Sequence, residues 1–253
     1  MDTYSLNYGP AEDDTMSTPE PKHTELLPFT IRTVNSDRDI ERAASLRKSA
    51  YGRHLPQFAE KLGRPEAADY QDDTVVLLAE SKLDKAPLAT MRVHINHNAP
   101  LPLEQAVVLP PHLRGASLAE AVRLAIIPGR EGHVPRDAIF KAFYLTCKAL
   151  NVDWMVICAR HPLYKLYQAM YFEDAILNGT MVPLPYAADI PHRVLNFNVN
   201  NAEHLWRTRK HPLYDFMVRT HHSDIEDFRL TCRTLTEKVQ AKKITKTRTS
   251  ALH

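Results

Sequence analysis

Several charged residues stand where charge is costly. Glu120 and Arg123 interrupt the otherwise apolar run Ala119–Ile127. Arg92 sits midway along Leu88–Ile95, on the alternating face it shares with Thr90 and His94. Arg47 falls at the centre of the apolar face of Asp37–Gly52, among Ile40, Ala43, Ala44, Ala50 and Tyr51 when the helix turns by ~100° per residue. A charge persists in such a place only with an opposite charge or a bound anion. The plain alternative for each is an exposed or snorkelling side chain. Asp69, Asp72 and Asp73, just ahead of a strand, supply acids that could balance the arginines. A glutamate enclosed among guanidinium groups is material for proton transfer and for anion binding. On a regular strand, Glu120 and Arg123 would face opposite sides. A β-bulge between them would bring both to one side, and bulges gather beside active sites.

Other chemistries find little support. His221, His222 and Asp224 could begin a metal site, but no third ligand stands at metal-site spacing. No metal is expected. There is no GxSxG elbow, no GxGxxG and no GxxxxGK[ST], and the chain has only 7 glycines. Cys147, Cys158 and Cys232 are odd in number and form no CxxC, so neither a disulfide framework nor a zinc ribbon fits. With 32 Lys plus Arg against 30 Asp plus Glu, the net charge of +2 gives no polycationic surface for nucleic acid. No apolar run approaches the ~18–20 residues that span a bilayer, and no secretion signal opens the chain, so the expected compartment is the cytoplasm.

The 253 residues fit one domain with extensions. Residues 1–28 carry six acids, one base and four prolines and read as a flexible acidic tail. Residues 29–200 alternate strand and helix patterns. Strands are expected at Phe29–Val34, Thr74–Glu80, Leu88–Ile95, Ala119–Ile127, Trp154–Arg160 and Arg193–Val199. Helices are expected at Asp37–Gly52, Arg136–Asn151 and Leu163–Phe172, the last started by Pro162. Strands adjacent in sequence favour antiparallel pairing, and the later βαβ unit favours one parallel pair. The expected fold is α/β: a mixed, mostly antiparallel sheet with helices on both faces. Residues 201–253 read as a helical extension, Ala202–Thr220, with a basic tail in which Arg229–His253 holds seven bases and one acid. HPLY occurs at 161–164 and 211–214, each read as a proline-started helix beginning.

From Phe29 to Val199 the order of elements resembles GNAT-type N-acyltransferases, and within them the long-chain N-acyl amino acid synthases and acyl-homoserine-lactone synthases. Arg47 followed by Tyr51 resembles their helix-borne arginine and aromatic. Asp69-x-x-Asp72 resembles their paired acids, Thr90-Met91-Arg92 their strand arginine, and Pro100-Leu-Pro-Leu-Glu104 the loop that follows. Glu120-Ala-Val-Arg123-Leu-Ala-Ile resembles their E-x-x-R motif, with an ending nearer the amino acid synthases. Leu166-Tyr167-Gln-Ala-Met-Tyr171-Phe172-Glu173 resembles the wider Y-x-x-x-G-F pattern, with Tyr171 in place of glycine. Two departures stand out. Arg130-Glu-Gly132-His is a poor match for the Q/R-x-x-G-x-G/A pyrophosphate loop, and the tryptophan usual near the first helix of lactone synthases is missing.

The resemblance implies aminolysis of an acyl thioester, with no bound cofactor. Acyl carrier protein, whose pantetheine arm presents fewer phosphates, is then a better donor than CoA, and a small amine or amino acid is the acceptor. Glu120 would take the amine's proton, and Tyr167 would protonate the leaving thiolate. Backbone N–H groups near Ala121–Arg123 would face the oxyanion. Arg47, Tyr51, Asp69, Asp72, Arg92 and Arg123 would bind substrate or hold one another. Val156 and Cys158, or Met155 and Ile157, would wall an acyl pocket between the Ala119–Ile127 strand and Trp154–Arg160. The alternatives are an acyl-CoA-dependent GNAT enzyme acting on another amine, a lactone synthase, and a non-catalytic module that kept the fold to bind an acyl ligand or partner.

Overall fold

Ser36 opens the first long helix by accepting a hydrogen bond from the Asp39 backbone at 3.2 Å, and Asp37 and Asp39 add negative charge in the first turn. That helix, α1, spans Asp37–Gly52, the bounds expected from the sequence. The structure is a computed structural model, and it describes residues 23–34, 36–127 and 134–229. The stretch 1–22, Asn35, Pro128-Gly129 with Arg130-Glu131-Gly132-His133, and the basic end 230–253 with Cys232 lie outside the described residues.

The other elements follow in order. Strands β1 (His23–Thr24) and β2 (Phe29–Thr33) precede α1; α2 (Pro56–Leu62) follows it with proline in its first turn. Next come β3 (Thr74–Ser81), β4 (Pro87–Ile95), the short α3 (Pro102–Ala106) and β5 (Leu118–Ile126). Helix α4 (Val134–Ala149) leads to β6 (Trp154–Ala159), α5 (Tyr164–Ala169), β7 (Glu173–Asp174), β8 (Met181–Pro183) and β9 (Pro191–Asn198). Then come α6 (Ala202–Thr208), a π-helical turn at Asp215–Arg219 and β10 (Thr220–His221).

The main sheet runs β2-β3-β4-β5-β6-β9-β7, with β8 also paired to β9. Every pair is antiparallel except β5–β6, which α4 connects. All of β3 is buried, which is why Thr74–Glu80 reads as a near-continuous apolar run rather than an alternating one. Alternation along β3 and β4 divides the core. Val75, Leu77, Met91 and Val93 pack with Ile139, Phe143 and Cys147 of α4, whereas Val76 and Leu78 pack with Ile40 and Ala43 of α1. Helices therefore cover both faces.

Two helical expectations are corrected. Leu163–Phe172 shrinks to Tyr164–Ala169. Tyr171 has φ +69°, a left-handed conformation that ends the helix and that glycine would adopt without cost. The Y-x-x-x-G-F pattern thus keeps its geometry with a tyrosine. The ring packs edge-on to His211 at 5.1 Å and lies under the Arg209 guanidinium. Ala202–Thr220 is not one helix: α6 stops at Thr208, Lys210 turns to φ +52°, and Pro212 disfavours helical backbone at His211. Each HPLY does end on the first residue of a helical turn. The described part of this region belongs to the core, where Trp206 stacks on Phe197 at 5.3 Å and Phe197 on Phe172 at 4.9 Å. His222 contacts Lys141 at 3.0 Å and Asp224 accepts from the Leu27 backbone at 2.8 Å, so both serve packing there. Among the described residues, no helix is long and apolar enough to cross a membrane.

Candidate active site

Strands β5 and β6 stay paired only from Leu118↔Trp154 to Ala121↔Ile157. Beyond that point they diverge. The cause lies on the other edge of β5, where the register with β4 slips between Thr90↔Ala125 and Arg92↔Val122. The sequence predicts a bulge between Glu120 and Arg123; the register stays regular through Val122, so the slip falls at Arg123-Leu124. It places Arg123 at φ +55°, which costs a residue with a Cβ about 1–2 kcal/mol. Three hydrogen bonds hold Arg123 there: Nε and Nη2 donate to the Glu66 carboxylate at 2.8 Å each, and Nη2 donates to the Tyr186 carbonyl at 3.2 Å.

A cavity of about 500 Å³ fills the opening. Ala121–Ile126 and Ile157–Arg160 form its walls; Tyr51, His54, Leu55 and Phe58 close one side, and Phe140, Leu166, Tyr167 and Met170 the other. Its volume and mostly apolar lining suit a small-molecule or acyl site. Arg53, Arg160, His54 and His192 add basic groups, and Arg136 lies there paired with Asp137 at 2.9 Å.

Behind the wall lies the charge cluster. Arg47 Nη1 is 2.9 Å from the Asp69 carboxylate, and neither side chain has any exposure. Arg92 Nη1 donates to Asp69 at 3.1 Å and to Glu66 at 2.9 Å. The two acids sit three residues apart on a 3-10 turn, Ala67–Tyr70, and the Glu66 backbone N–H donates to Asp69 at 2.8 Å. The paired acids are therefore Glu66 and Asp69. Asp72, expected in this cluster, is exposed beyond the end of the turn, where it cannot share the face of Asp69. Burial pushes the Glu66 carboxyl up, but the hydrogen bond from Arg123 and the charges of Arg92, Arg123 and Arg47 outweigh it and hold the group at about 2. A carboxylate lowered from 4.5 stabilises the fold above its ordinary range and loses that contribution as pH falls towards 2. Acid unfolding followed by circular dichroism is expected to show a component in that window that Glu66→Gln lacks; the same acid response in both proteins would contradict this.

Glu120 is wholly buried and does not line the cavity. The loop carrying α3 covers it, and the Leu103 N–H donates to Oε2 at 3.2 Å. The Tyr186 hydroxyl donates to Oε1 at 2.6 Å. Burial raises the Glu120 carboxyl to about 7, against the pull of Tyr186, Leu103, Arg92 and Arg123. A base with that affinity is suited to neutral pH. Cys158 Sγ lies 3.6 Å from the Tyr186 oxygen, and burial first, then the charge of Glu120, keeps its thiol protonated. Cys158 is thus a wall rather than a nucleophile.

The structure brings Tyr51, Arg123, Cys158 and Tyr167 to the cavity and sets Arg47, Asp69 and Arg92 behind it. Val156 does not reach it. It packs with Leu103, Leu118 and Leu184 in a separate core, because it lies where β5 and β6 are still paired, opposite Glu120, whereas Cys158 on the same face lies beyond the last pair. Burial raises the Tyr167 phenol above its usual range, which keeps it protonated. Glu66, Arg160 and Tyr186 escaped the sequence reading. For Glu66, three-residue spacing to Asp69 was a usable signal; Tyr186 sits in a Pro-started turn with no motif around it.

The N-acyl amino acid synthase FeeM family model matches residues 42–183. The chain belongs to that family. It is an acyltransferase with a GNAT fold. A solved structure of FeeM, an N-acyl amino acid synthase from uncultured soil microbes, is 12% identical, covers 72% of this chain and 96% of its own, and superposes with a TM-score of 0.56. That likeness concerns the fold. BjaI, a CoA-dependent acyl-homoserine lactone synthase solved with SAM and isopentyl-CoA, is 14% identical over 81% of this chain and 99% of its own, with a TM-score of 0.48. No curated protein sequence gives a significant match.

Proposed function

We propose that this FeeM-family enzyme moves a fatty acyl group from acyl carrier protein to the amino group of an amino acid or similar small amine. The observation that carries the reading is the opening between β5 and β6: an apolar cavity of about 500 Å³ bordered by Arg123, Tyr167 and Tyr186, with Glu120 directly behind Tyr186. The acyl chain lies in the cavity against Ile157, Cys158 and Phe140. The amine attacks the thioester carbonyl, a C–N bond forms and the oxygen becomes an oxyanion. Backbone N–H groups of the bulged strand receive that charge. Collapse breaks the C–S bond, Tyr167 protonates the thiolate, and the amine's proton ends on Glu120; Glu120 then releases that proton to solvent and Tyr167 takes one back, which restores the enzyme.

The arginines divide their work. Arg47, Arg92 and Arg123 are committed to Glu66 and Asp69, and they hold the bulge in shape. Arg160 lines the cavity and makes no ion pair with the described residues, so its planar fork suits an acceptor carboxylate. Arg53 and His54 add basic character beside the cavity, which fits an acidic carrier, whereas Arg136 is paired with Asp137 at 2.9 Å. Presenting carrier-protein and CoA thioesters of one fatty acid at equal concentration tests the donor. The carrier thioester is expected to react faster, by a margin that shrinks as salt screens the encounter. Equal or better use of the CoA thioester would overturn that assignment.

A further inference from the structure

We propose that the Tyr186 phenol carries the proton from the attacking amine to Glu120. The proposal rests on the aminolysis reading and adds a residue to it. Glu120 has no surface on the cavity and its two oxygens are occupied, one by the Leu103 N–H and one by the Tyr186 hydroxyl. Tyr186 does line the cavity. Its proton is directed at Glu120 Oε1 at 2.6 Å, much the shorter of the hydroxyl's two contacts, with Cys158 Sγ 3.6 Å away, and the phenol oxygen keeps a lone pair to accept from a further donor.

The surrounding turn fixes that oxygen. Tyr186 lies in a 3-10 turn, Pro185–Ala187, anchored by the fully buried Leu184. The Ala187 and Asp189 N–H groups both return to the Leu184 carbonyl, at 2.9 and 3.0 Å. Arg123 donates to the Tyr186 carbonyl from the bulge itself, so one side chain sets both the strand that presents the thioester and the turn that presents the phenol.

The step balances without any co-reactant. As the C–N bond forms, the N–H electron pair stays on nitrogen and the proton passes to the Tyr186 oxygen. The phenol's own proton passes to Glu120 at the same time. Tyrosine ends neutral, as it began, and Glu120 ends as a carboxylic acid. No tyrosinate need persist, which matters because burial and the neighbouring Glu120 make ionised Tyr186 very unfavourable.

Tyr186→Phe keeps the ring and removes the relay. In the full-length enzyme, kcat is expected to fall by roughly 10²-fold or more, with KM for both substrates nearly unchanged. The double variant Tyr186→Phe/Glu120→Gln is expected to be no slower than Glu120→Gln alone, because the two act as one unit. The wild-type rate should show a solvent isotope effect whose dependence on deuterium fraction requires two protons in flight. A folded Tyr186→Phe protein with wild-type kcat, or losses that multiply in the double variant, would overturn the relay while leaving aminolysis standing. A wild-type enzyme that forms no N-acyl product would instead remove the aminolysis reading and the relay with it.

Discussion

Glu120→Gln is expected to give a folded protein whose turnover is lower by roughly 10²–10⁴-fold, the scale of a lost general base. Glutamine keeps the shape: its one carbonyl oxygen can accept from the Leu103 N–H while its NH2 donates to the Tyr186 oxygen, so packing is preserved. It cannot take a proton. The wild-type enzyme should also show an acid limb in kcat/KM. The base works ionised, and burial raises its carboxyl to about 7, so activity should rise as pH increases through that value. The stability sign is the opposite: a carboxyl raised in this way helps the fold most below its ordinary range and loses that contribution as pH rises through about 7. The variant should therefore tolerate mildly alkaline pH at least as well as the wild type. Steady-state rates and thermal melts on the same preparations check both statements. Wild-type turnover from a folded Glu120→Gln protein contradicts the assignment.

Arg47→Ala is expected to cost on the order of 3–5 kcal/mol of folding stability, the penalty for breaking a buried ion pair by removing one partner. Both side chains of the pair are fully enclosed, so Asp69 would lose its 2.9 Å partner with no water to replace it. Activity should fall as well, because Asp69 also holds Arg92, and Arg92 shares Glu66 with Arg123 at the bulge. Arg47 bonds Asp69 through Nη1 alone, and Arg47→Lys should still recover only part of the loss, since an ammonium is more strongly hydrated than a guanidinium and costs more to bury. Denaturant melts of the three proteins measure this. A loss below about 1 kcal/mol for Arg47→Ala, the range of surface pairs, would contradict it.

The sequence carried these two residues because each breaks a pattern. Arg47 sits inside a helical apolar stripe, and Glu120 inside a strand that is otherwise aliphatic. Their surroundings had to exclude water, so a charge there required partners. The bulge was legible for a related reason: Glu120 and Arg123 could share one side only if the strand slipped. What escaped was set by turns. Glu66 and Asp69 meet through a 3-10 turn, whereas the acids were matched as Asp69 and Asp72. Tyr186 reaches Glu120 from 66 positions away on a turn whose Ala188 and Asp189 both have positive φ, a backbone path that no periodicity announces. Long, strongly patterned elements such as α1 kept their expected ends. The expected helix from Ala202 onward failed because the local pattern outlasted the backbone, which turns away at Lys210 and Pro212.

Aminolysis of an acyl thioester is tested most directly by product identification by mass spectrometry. The purified full-length chain is incubated with a long-chain acyl carrier protein and a mixture of the common amino acids. An N-acyl amino acid is expected to form in step with release of the carrier's free thiol, with both signals lost in Glu120→Gln. Free fatty acid as the sole acyl product, or no thiol release above that of the Glu120→Gln control, would contradict it.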